Sequence, residues 1–280
     1  TYIDKVVIGY RDALPDWLPK LSSSKNGQSF FIDDSLEVEL VEVKGALHMV
    51  HEKPKWFEHL SFDLEPEATE YYFFDSDITI LRRMNFYGEW SAQGVGICED
   101  VNYDMSSNHP IRLQWKALAE ENDLMVRREL SRYYNSGFLA WRAEHKQFIK
   151  DWVHCFDIMK LKSGDMRQFR VNDRTQMILS ANQDSLNLAA MITETPISVI
   201  GPEAMSFNNG MQLMAHPLGP KPWNINFVSN FFKGKPPRRG DVLFWQNANS
   251  QCLKPYSSFK VSYKKYELKI LSGLSRFYKS

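Results

Sequence analysis

Short apolar runs bounded by charged or turn-forming residues recur along the chain, and each predicts a buried strand. The first run is Lys5-Val-Val-Ile-Gly-Tyr10, which begins on a charged residue and ends just before Arg11 and Asp12. The strands predicted on this pattern are residues 5–10, 29–32, 36–43, 70–74, 137–141 and 197–200.

A second pattern fills the intervals between these runs and predicts helices. Residues 111–121 and 185–192 are two of them, and residues 143–159 are the clearest. Because strands alternate with helices, the pattern favours an α/β fold with a mostly parallel sheet covered on both faces. Ligands of such sheets bind beyond the carboxyl ends of the strands. The apolar stripe of the clearest helix consists of Phe148, Ile149, Trp152, Val153, Phe156 and Met159.

Composition narrows the class of protein. Hydrophobic residues make up 43% of the 280 residues and aromatic residues 14%, so a packed core is expected and a disordered chain is not. No window approaches the ~20 apolar residues of a membrane span. The three cysteines, Cys98, Cys155 and Cys252, favour reduced thiols over a disulfide framework. Since the N-terminus shows no secretory signal pattern, we expect a cytoplasmic protein.

The net charge is zero, but the charge is unevenly distributed. Residues 221–280 hold 12 Lys and Arg residues against two acidic ones, whereas residues 1–220 hold 22 basic and 32 acidic residues. This asymmetry predicts that the C-terminal segment contacts something anionic. The composition changes at Gly219-Pro-Lys-Pro222. We therefore expect a main domain of residues 1–223 and a basic, aromatic extension of residues 224–280.

The extension carries an apolar stripe at roughly helical spacing over residues 263–278, with basic residues between its members. One interpretation is a basic amphipathic helix on an anionic membrane surface, which would place the protein at the inner face of a membrane. The other is a docked helix whose aromatic side chains fill a groove. Nucleic acid is not expected, because no nucleic-acid motif accompanies the charge. The stripe consists of Tyr263, Tyr266, Ile270, Leu274 and Phe277.

Two carboxylates follow the strand predicted at residues 70–74. The run Tyr71-Tyr-Phe-Phe74 leads directly into Asp75-Ser-Asp77, so both acids come where a buried strand ends. Oxygen ligands of this kind suit Mn²⁺ or Mg²⁺, which often share them with substrate phosphates. A solvated turn is the competing interpretation of an isolated Asp-x-Asp, but the apolar run before it favours a metal site.

The octapeptide His216-Pro-Leu-Gly-Pro-Lys-Pro-Trp223 supplies further chemistry for a metal and phosphates. His216 is a candidate imidazole ligand. Gly219 would let the backbone approach phosphates, and Lys221 would bind phosphate oxygens as a point charge. The prolines stiffen the loop and lower the entropy lost on ordering it. A proline-rich surface turn is the competing interpretation.

Together these motifs resemble those of the family 8 glycosyltransferases, which are retaining enzymes. That family shows an Asp-x-Asp motif after an apolar strand and an Asn-[Ala/Ser]-Gly motif at the start of a later strand. An Asp-Gln-Asp-x-Leu-Asn segment follows, and the motif His-x-x-Gly-x-x-Lys-Pro-Trp closes the series. The corresponding segments, in the same order, are Asp75-Ser-Asp77, Asn135-Ser-Gly137, Asn182-Gln-Asp-Ser-Leu-Asn187 and the octapeptide of residues 216–223.

The resemblance implies a GT-A fold, which is the Rossmann-like α/β fold of nucleotide-diphospho-sugar transferases, with a mixed, mostly parallel sheet. It implies a Mn²⁺ site, with Mg²⁺ as the alternative, formed by Asp75, Asp77 and His216. It also implies that Lys221 and Gly219 hold the diphosphate of a nucleotide-sugar donor.

The resemblance further assigns residues to the donor sugar. Asn135 and Ser136 would face the sugar, and Gln183 would lie near the anomeric carbon on the face opposite the leaving group. Asp184 would contact or orient the sugar, and Asn182 stands where the family has an aspartate. The other donor-binding candidates are Gly9, Tyr10 and Ser76, and the catalytic candidates are Gln183, Asp184 and Lys221.

The reaction implied by the resemblance transfers a hexose from a nucleoside-diphosphate sugar, UDP-linked, to a hydroxyl group of a glycan or lipid-linked acceptor, with retention. Because the amide of Gln183 is a poor covalent nucleophile, we expect front-face attack. A nucleotidyltransferase would require a glycine-rich, basic phosphate loop, which residues 8–16 do not supply. A catalytically silent domain that binds a glycan or a protein partner stays open as the alternative function.

Charged residues on either side of the Asp-x-Asp motif give weaker signals. Glu99, Asp100 and Asp104 lie downstream of the Asp-x-Asp motif. Solvated acids are the favoured interpretation, and acceptor-side or sheet-edge roles stay open as alternatives. Lys53 and Lys55 are candidates for the basic residue that the family carries before this motif.

Overall fold

Strands and helices alternate through the middle of the chain, as the apolar pattern predicts, whereas the described part of the chain begins with four strands and ends with three helices. A computed structural model describes residues 3–101, 104–162, 166–167 and 181–277. The strands are β1 (Lys5–Tyr10), β2 (Ser22–Ser23), β3 (Gln28–Phe31), β4 (Glu37–Glu42), β5 (Glu70–Phe74), β6 (Thr79–Ile80), β7 (Val95–Glu99), β8 (Tyr134–Arg142), β9 (Ile197–Ile200) and β10 (Met214–Ala215). The helices are α1 (Lys53–His59), α2 (Met84–Ser91), α3 (Pro110–Glu121), α4 (Gln147–Lys162), α5 (Ala181–Ile192), α6 (Phe227–Phe232), α7 (Arg239–Asn247) and α8 (Ser258–Leu274).

The chain is divided between two units, each held together by its own contacts. The first unit contains Val43–Phe73 and Arg83–Pro202. The second unit contains Ile3–Glu42, Phe74–Arg82 and the chain from Glu203 onward. The predicted boundary between residues 223 and 224 falls inside the second unit. The division of function at that boundary stays a prediction.

The first unit is built on a sheet with the strand order β5-β8-β7-β9. β8 is buried along almost its whole length, and α2 and α5 pack against it. β7 is antiparallel to β8 and parallel to β9. The core of this unit is aromatic: the rings of Tyr71 and Trp141 stack with their centroids 5.2 Å apart, and Trp152 is fully buried. A rigid core of this kind fixes the ends of the strands, where polar side chains collect.

The second unit contains a sheet with the order β1-β4-β3-β2 and a two-stranded ribbon of β6 and β10. β1 and β4 are parallel, whereas β3 is antiparallel to both β4 and β2. Phe30, Val38 and Leu40 form the small buried core of this sheet. The two strands of this ribbon come from distant parts of the sequence, and their pairing brings those parts together.

The helices α6, α7 and α8 also belong to the second unit, and they bury a shared apolar cluster. α8 contributes Val261, Leu268 and Leu271 to this cluster. The predicted apolar stripe is therefore exposed: four of its members lie on α8 and Phe277 lies just after the helix ends. Among the described residues, its aromatic side chains do not fill a groove. None of the helices in the described residues is long and apolar enough to cross a membrane.

The start of α8 differs from the prediction. The hydroxyl of Ser257 accepts a hydrogen bond from Lys260 N (3.2 Å), so this serine caps the helix and α8 begins at Ser258 rather than at residue 263. The predicted end at Tyr278 lies outside the described residues.

The predicted α/β class is confirmed, with sheets that mix parallel and antiparallel pairs. The predicted predominance of parallel pairing is wrong for the described pairs: β1–β4 and β7–β9 are parallel, whereas β2–β3, β3–β4, β7–β8 and β6–β10 are antiparallel. Short connections are one reason, since β3 and β4 are joined by residues 32–36 and a parallel crossover needs a much longer segment. The more specific GT-A fold stays a prediction.

Candidate active site

The acids of Asp75-Ser-Asp77 lie in a tight turn directly after β5. Ile78 N donates to the carbonyl oxygen of Asp75 (2.8 Å), which closes the turn before β6 begins. Asp77 is 2% exposed, the side chain of Asp75 is 26% exposed, and Ser76 is exposed at the tip. The turn therefore buries one carboxylate and leaves the other within reach of solvent.

His216 reaches this turn because β10 pairs with β6. The antiparallel register places Ala215 opposite Thr79, so the next residue, His216, comes level with the acidic turn. The His216 Nε2 atom lies 3.8 Å from Asp75 Oδ2 and 3.7 Å from Asp77 Oδ1. A backbone pairing between two very short strands thus brings an imidazole to two carboxylates.

The donor atoms and their spacing fit a divalent cation. One ligand atom from each of Asp75, Asp77 and His216 lies within 4.8 Å of the other two. An octahedral cation with ligand bonds of about 2.1 Å holds adjacent ligand atoms roughly 3 Å apart and opposite ones roughly 4.2 Å apart. The observed separations of 3.7 and 3.8 Å lie between these values. Small side-chain movements would therefore complete a site, and Mn²⁺ and Mg²⁺ accept such carboxylate ligands.

The loop after His216 brings a lysine to the same acids. Lys221 Nζ lies 2.6 Å from Asp77 Oδ2, and the Lys221 side chain is 41% exposed. Gly219 has a φ of +74°, in the left-handed region that favours glycine. Pro217 packs against the start of α7 so closely that a Cβ on Gly240 would come 3.1 Å from the proline nitrogen. This packing holds the loop in place beside the acidic turn.

A second polar group, in the first unit, lies where β8 and α5 begin. Gln183 Oε1 accepts hydrogen bonds from Ser136 N (3.1 Å) and Ser136 Oγ (3.2 Å), and Gln183 Nε2 donates to Asp100 Oδ2 (3.1 Å). Asn135 Nδ2 donates to the same Asp100 oxygen (2.7 Å). These partners fix the orientation of the Gln183 amide. Gln183 is partly exposed, whereas Asn135, Ser136 and Asp100 are at most 7% exposed.

The residues on either side of Gln183 are buried. Asn182 and Asp184 are each 1% exposed. Asn182 Nδ2 donates to Ser136 Oγ (2.9 Å), and Tyr133 OH donates to Asp184 Oδ1 (2.5 Å). Burial and the Asp184 carboxylate raise the pKa of Tyr133 well above its ordinary value, so the phenol remains a protonated donor. Both neighbours thus anchor the turn of helix that carries Gln183.

A bulge in β8 explains why Ser136 is available to Gln183. Between residues 97 and 98 of β7, the partner in β8 jumps from Leu139 to Asn135. The register of β8 against β7 shifts at this point, and Ser136 N donates to the glutamine. Bulges of this kind frequently re-aim side chains beside active sites.

Of the two candidate lysines before the Asp-x-Asp motif, Lys53 reaches the polar group of the first unit. Lys53 Nζ donates to the carbonyl oxygen of Ser136 (3.1 Å). Lys55 instead pairs with Asp157 (3.0 Å). Lys53 is therefore the better candidate for a functional cation.

Gly9 and Tyr10 form the carboxyl end of β1 in the second unit. Tyr10 packs against the core of that unit's larger sheet. Both residues lie at a strand end, where ligands of α/β sheets bind.

Comparisons with known proteins add little to this geometry. No protein-family model matches the chain, and no curated protein matches it either. Among solved structures, the chain is similar to the crystal structure of mouse xyloside xylosyltransferase 1 in its apo form, with 11% sequence identity over 65% of this chain and 76% of that one. The TM-score is 0.35, too low to establish a common fold. The function therefore has to be inferred from the residues themselves.

Asp100 is a candidate functional residue for which the sequence interpretation favoured the wrong environment. The expectation of a solvated acid is wrong at this position, because Asp100 is buried and accepts hydrogen bonds from Asn135 and Gln183. The expectation is confirmed for Asp104, which is exposed and pairs with Arg132 (2.6 Å). The position of Asp100 could have indicated a functional role, because Asp100 directly follows β7 just as Asp75 directly follows β5.

Proposed function

We propose that this chain is a retaining, metal-dependent glycosyltransferase of family 8 with a GT-A fold. It transfers a hexose from a nucleoside-diphosphate sugar, UDP-linked, to a hydroxyl group of a glycan or lipid-linked acceptor. The observation that carries the proposal is the meeting of Asp75, Asp77, His216 and Lys221 after β5. Two acids and an imidazole suit a divalent cation, and an exposed lysine beside them suits a phosphate.

A divalent cation bound by Asp75, Asp77 and His216, Mn²⁺ or Mg²⁺, would supply positive charge that stabilises a departing diphosphate. Lys221 adds a positive charge at the same place, and its exposed side chain can turn from Asp77 toward a phosphate oxygen. Gly219 leaves room for the phosphate because it has no Cβ. The other donor contacts proposed in the second unit are Gly9, Tyr10 and Ser76.

The polar group of the first unit is proposed to bind the donor sugar. Asn135, Ser136 and Asn182 offer amide and hydroxyl groups to sugar hydroxyls, and the partly exposed Gln183 faces the anomeric carbon. Asp184, held by Tyr133, orients the helix turn that carries Gln183. The bond from the anomeric carbon to the diphosphate breaks, the acceptor oxygen bonds to the same face, and the acceptor proton passes to a diphosphate oxygen.

The proposal is tested with a panel of UDP-, GDP-, CDP- and TDP-sugars, each incubated with the purified chain and either Mn²⁺ or EDTA. We expect metal-dependent nucleotide release from one donor, because slow hydrolysis needs no acceptor. Release should fall at least ~100-fold in Asp77→Asn. It should persist in Asp63→Asn, whose exposed carboxylate pairs with His59. NMR of the released sugar should show the retained anomer.

Release from no donor, by a folded chain that binds Mn²⁺, would contradict the proposal. It would favour the alternative of a catalytically silent domain that binds a glycan or a protein partner.

We also propose that the chain works in the cytoplasm, against the anionic inner face of a membrane. α8 presents exposed apolar side chains beside the exposed Lys265 and Lys269, and such a surface attracts anionic lipid. Flotation with phosphatidylglycerol vesicles should recover the wild type and not the double variant Lys265→Glu/Lys269→Glu. Equal recovery of both would contradict the proposal. The exposed apolar residues are Phe259, Tyr263, Tyr266, Ile270, Leu274 and Phe277.

A further inference from the structure

Arg238, the residue before α7, is tied to both the helix and the loop that carries Lys221. Its Nε and Nη2 atoms donate to the two carboxylate oxygens of Asp241 (2.9 and 2.7 Å). The Nη2 atom also donates to the carbonyl oxygen of Pro220 (3.0 Å), the residue just before Lys221. The guanidinium group therefore lies against the loop of residues 216–221.

The remaining nitrogen of this guanidinium faces Gly219. Arg238 Nη1 lies 4.0 Å from the position that a Cβ on Gly219 would take. Among the described residues, Nη1 has no hydrogen-bond acceptor, although the other guanidinium nitrogens are bonded. The Arg238 side chain is 37% exposed, so an anion can reach these two hydrogens.

The orientation of Arg238 is fixed before any ligand binds. Asp241 is 2% exposed, and its carboxylate also accepts from Arg238 N (3.0 Å), which caps α7. A bidentate arginine–carboxylate pair holds the planar group in one orientation. Because the rotamer is already ordered, a ligand that bonds to Nη1 loses little side-chain entropy.

We propose that Arg238 is a phosphate-binding residue whose Nη1 donates to an oxygen of the donor diphosphate over Gly219. This inference rests on the proposed function, because it takes the loop of residues 216–221 to be the diphosphate site. The start of α7 lies within residues 224–280, which the sequence predicts to be an extension. The proposal makes this helix start a part of the donor site. The absence of a side chain at Gly219 then serves to open the path between Arg238 and the phosphate.

The test measures binding of inorganic pyrophosphate in the presence of Mn²⁺, and of Mn²⁺ alone, by calorimetry on the full chain. The variants are Arg238→Gln, Arg238→Lys and the control Arg239→Gln, which removes the same charge from the next, exposed residue. We expect pyrophosphate to bind about tenfold more weakly to Arg238→Gln, the loss of one charge-assisted hydrogen bond. Arg238→Lys should recover part of this loss, and Arg239→Gln should bind like the wild type.

Binding of Mn²⁺ alone separates a direct role from a structural one. His216 lies on the same loop, so a disordered loop would weaken the metal site as well. We expect all variants to bind Mn²⁺ like the wild type. Weaker Mn²⁺ binding by Arg238→Gln, or pyrophosphate binding equal to the wild type, would overturn the role of Arg238 and leave the proposed function intact. A wild type that binds no pyrophosphate with Mn²⁺ would overturn both.

Discussion

The side-chain amide of Gln183 forms hydrogen bonds through both its oxygen and its nitrogen. Its oxygen accepts from Ser136 and its nitrogen donates to Asp100, while the flanking Asn182 and Asp184 are buried. Such a group is rigid and partly exposed, which suits the positioning of a reacting sugar. It does not suit a covalent nucleophile, because an amide oxygen is a weak one.

Replacing Gln183 with Glu tests this role directly. The new carboxylate would face the Asp100 carboxylate across what is now a 3.1 Å hydrogen bond, and like charges at that distance repel. We expect kcat to fall by about tenfold or more, measured as initial rates with the donor that the panel identifies. Faster turnover, or a glycosyl ester on Asp184 or another native carboxylate nearby detected by mass spectrometry, would contradict front-face attack.

Glu39 is a residue whose charge stabilises the second unit. It is fully buried in β4, and it bonds to Lys5 Nζ (2.8 Å) and to Asn26. Burial alone would raise the pKa of Glu39, but hydrogen bonds from Lys5, Ser24 and Asn26 outweigh it and lower the pKa from 4.5 to about 2. The folded state therefore holds this carboxylate ionised more strongly than the unfolded state does.

A depressed folded-state pKa contributes stability above pH 4.5 that is lost as the pH falls toward about 2. We expect Glu39→Gln to have a lower free energy of unfolding than the wild type at pH 7. Between pH 4.5 and about 2, the free energy of unfolding of this variant should fall by less than that of the wild type. Urea unfolding at several pH values measures both effects. Glu42→Gln, an exposed change on the same strand, is the control. Equal acid sensitivity of Glu39→Gln and the wild type would contradict this role.

At the scale of elements, α5 depends on a clamp at its far end. Arg128 Nη1 donates to the carbonyl oxygens of Ala190 (3.2 Å) and Thr193 (2.7 Å), and Nη2 donates to that of Thr195 (2.7 Å). The last carbonyls of a helix have no partner within the helix, so this guanidinium satisfies groups that would otherwise lack one. The clamp fixes the helix whose first turn carries Gln183.

Arg128→Met should therefore destabilise the chain by about 2–4 kcal/mol, because it leaves buried carbonyl groups without a donor. The neighbouring Arg127→Met is the matched control. Arg127 pairs with the exposed Glu194 (2.6 Å), and surface pairs contribute only ~0–1 kcal/mol. Chemical denaturation of both variants measures the difference. Equal losses of stability would show that the clamp does not hold the helix.

Elements with a strong local pattern could be predicted from the sequence, and others could not. β1, β5 and β9 have their predicted bounds. β7 and α7 were missed, because five and nine residues are too few to show a clear period. α5 already includes Ala181 and thus extends at least four residues before the predicted start at residue 185, where buried polar side chains such as Asn182 and Asp184 give no apolar period.

At the scale of the whole molecule, the candidate metal site joins distant parts of the chain. Lys221 and Asp77 are 144 residues apart in sequence, and they are brought together by the pairing of β6 with β10, which are two residues each. No local pattern predicts such a pairing. Motifs that resemble those of a known family identified Asp75, Asp77 and His216 as candidates. Nothing local marked Arg238, whose role depends on its contact with the loop of residues 216–221.

The uneven charge has a structural counterpart at this scale. The basic segment from residue 221 onward includes Lys221, Arg238 and the exposed lysines of α8. Clustered positive charge raises the local concentration of anions. Both anionic partners that we propose, a diphosphate and a membrane surface, would therefore bind to the same segment of the chain.

The most direct test is a titration of the chain with Mn²⁺, followed by the loss of the free-ion EPR signal, with and without UDP. Three ligand groups that meet at one place, Asp75, Asp77 and His216, predict one Mn²⁺ per chain. A nucleotide that shares the ion should tighten its binding by about tenfold or more. Asp77→Asn should abolish both effects. Mn²⁺ that stays free, or binds equally well to Asp77→Asn, or ignores UDP, would contradict a metal-dependent donor site.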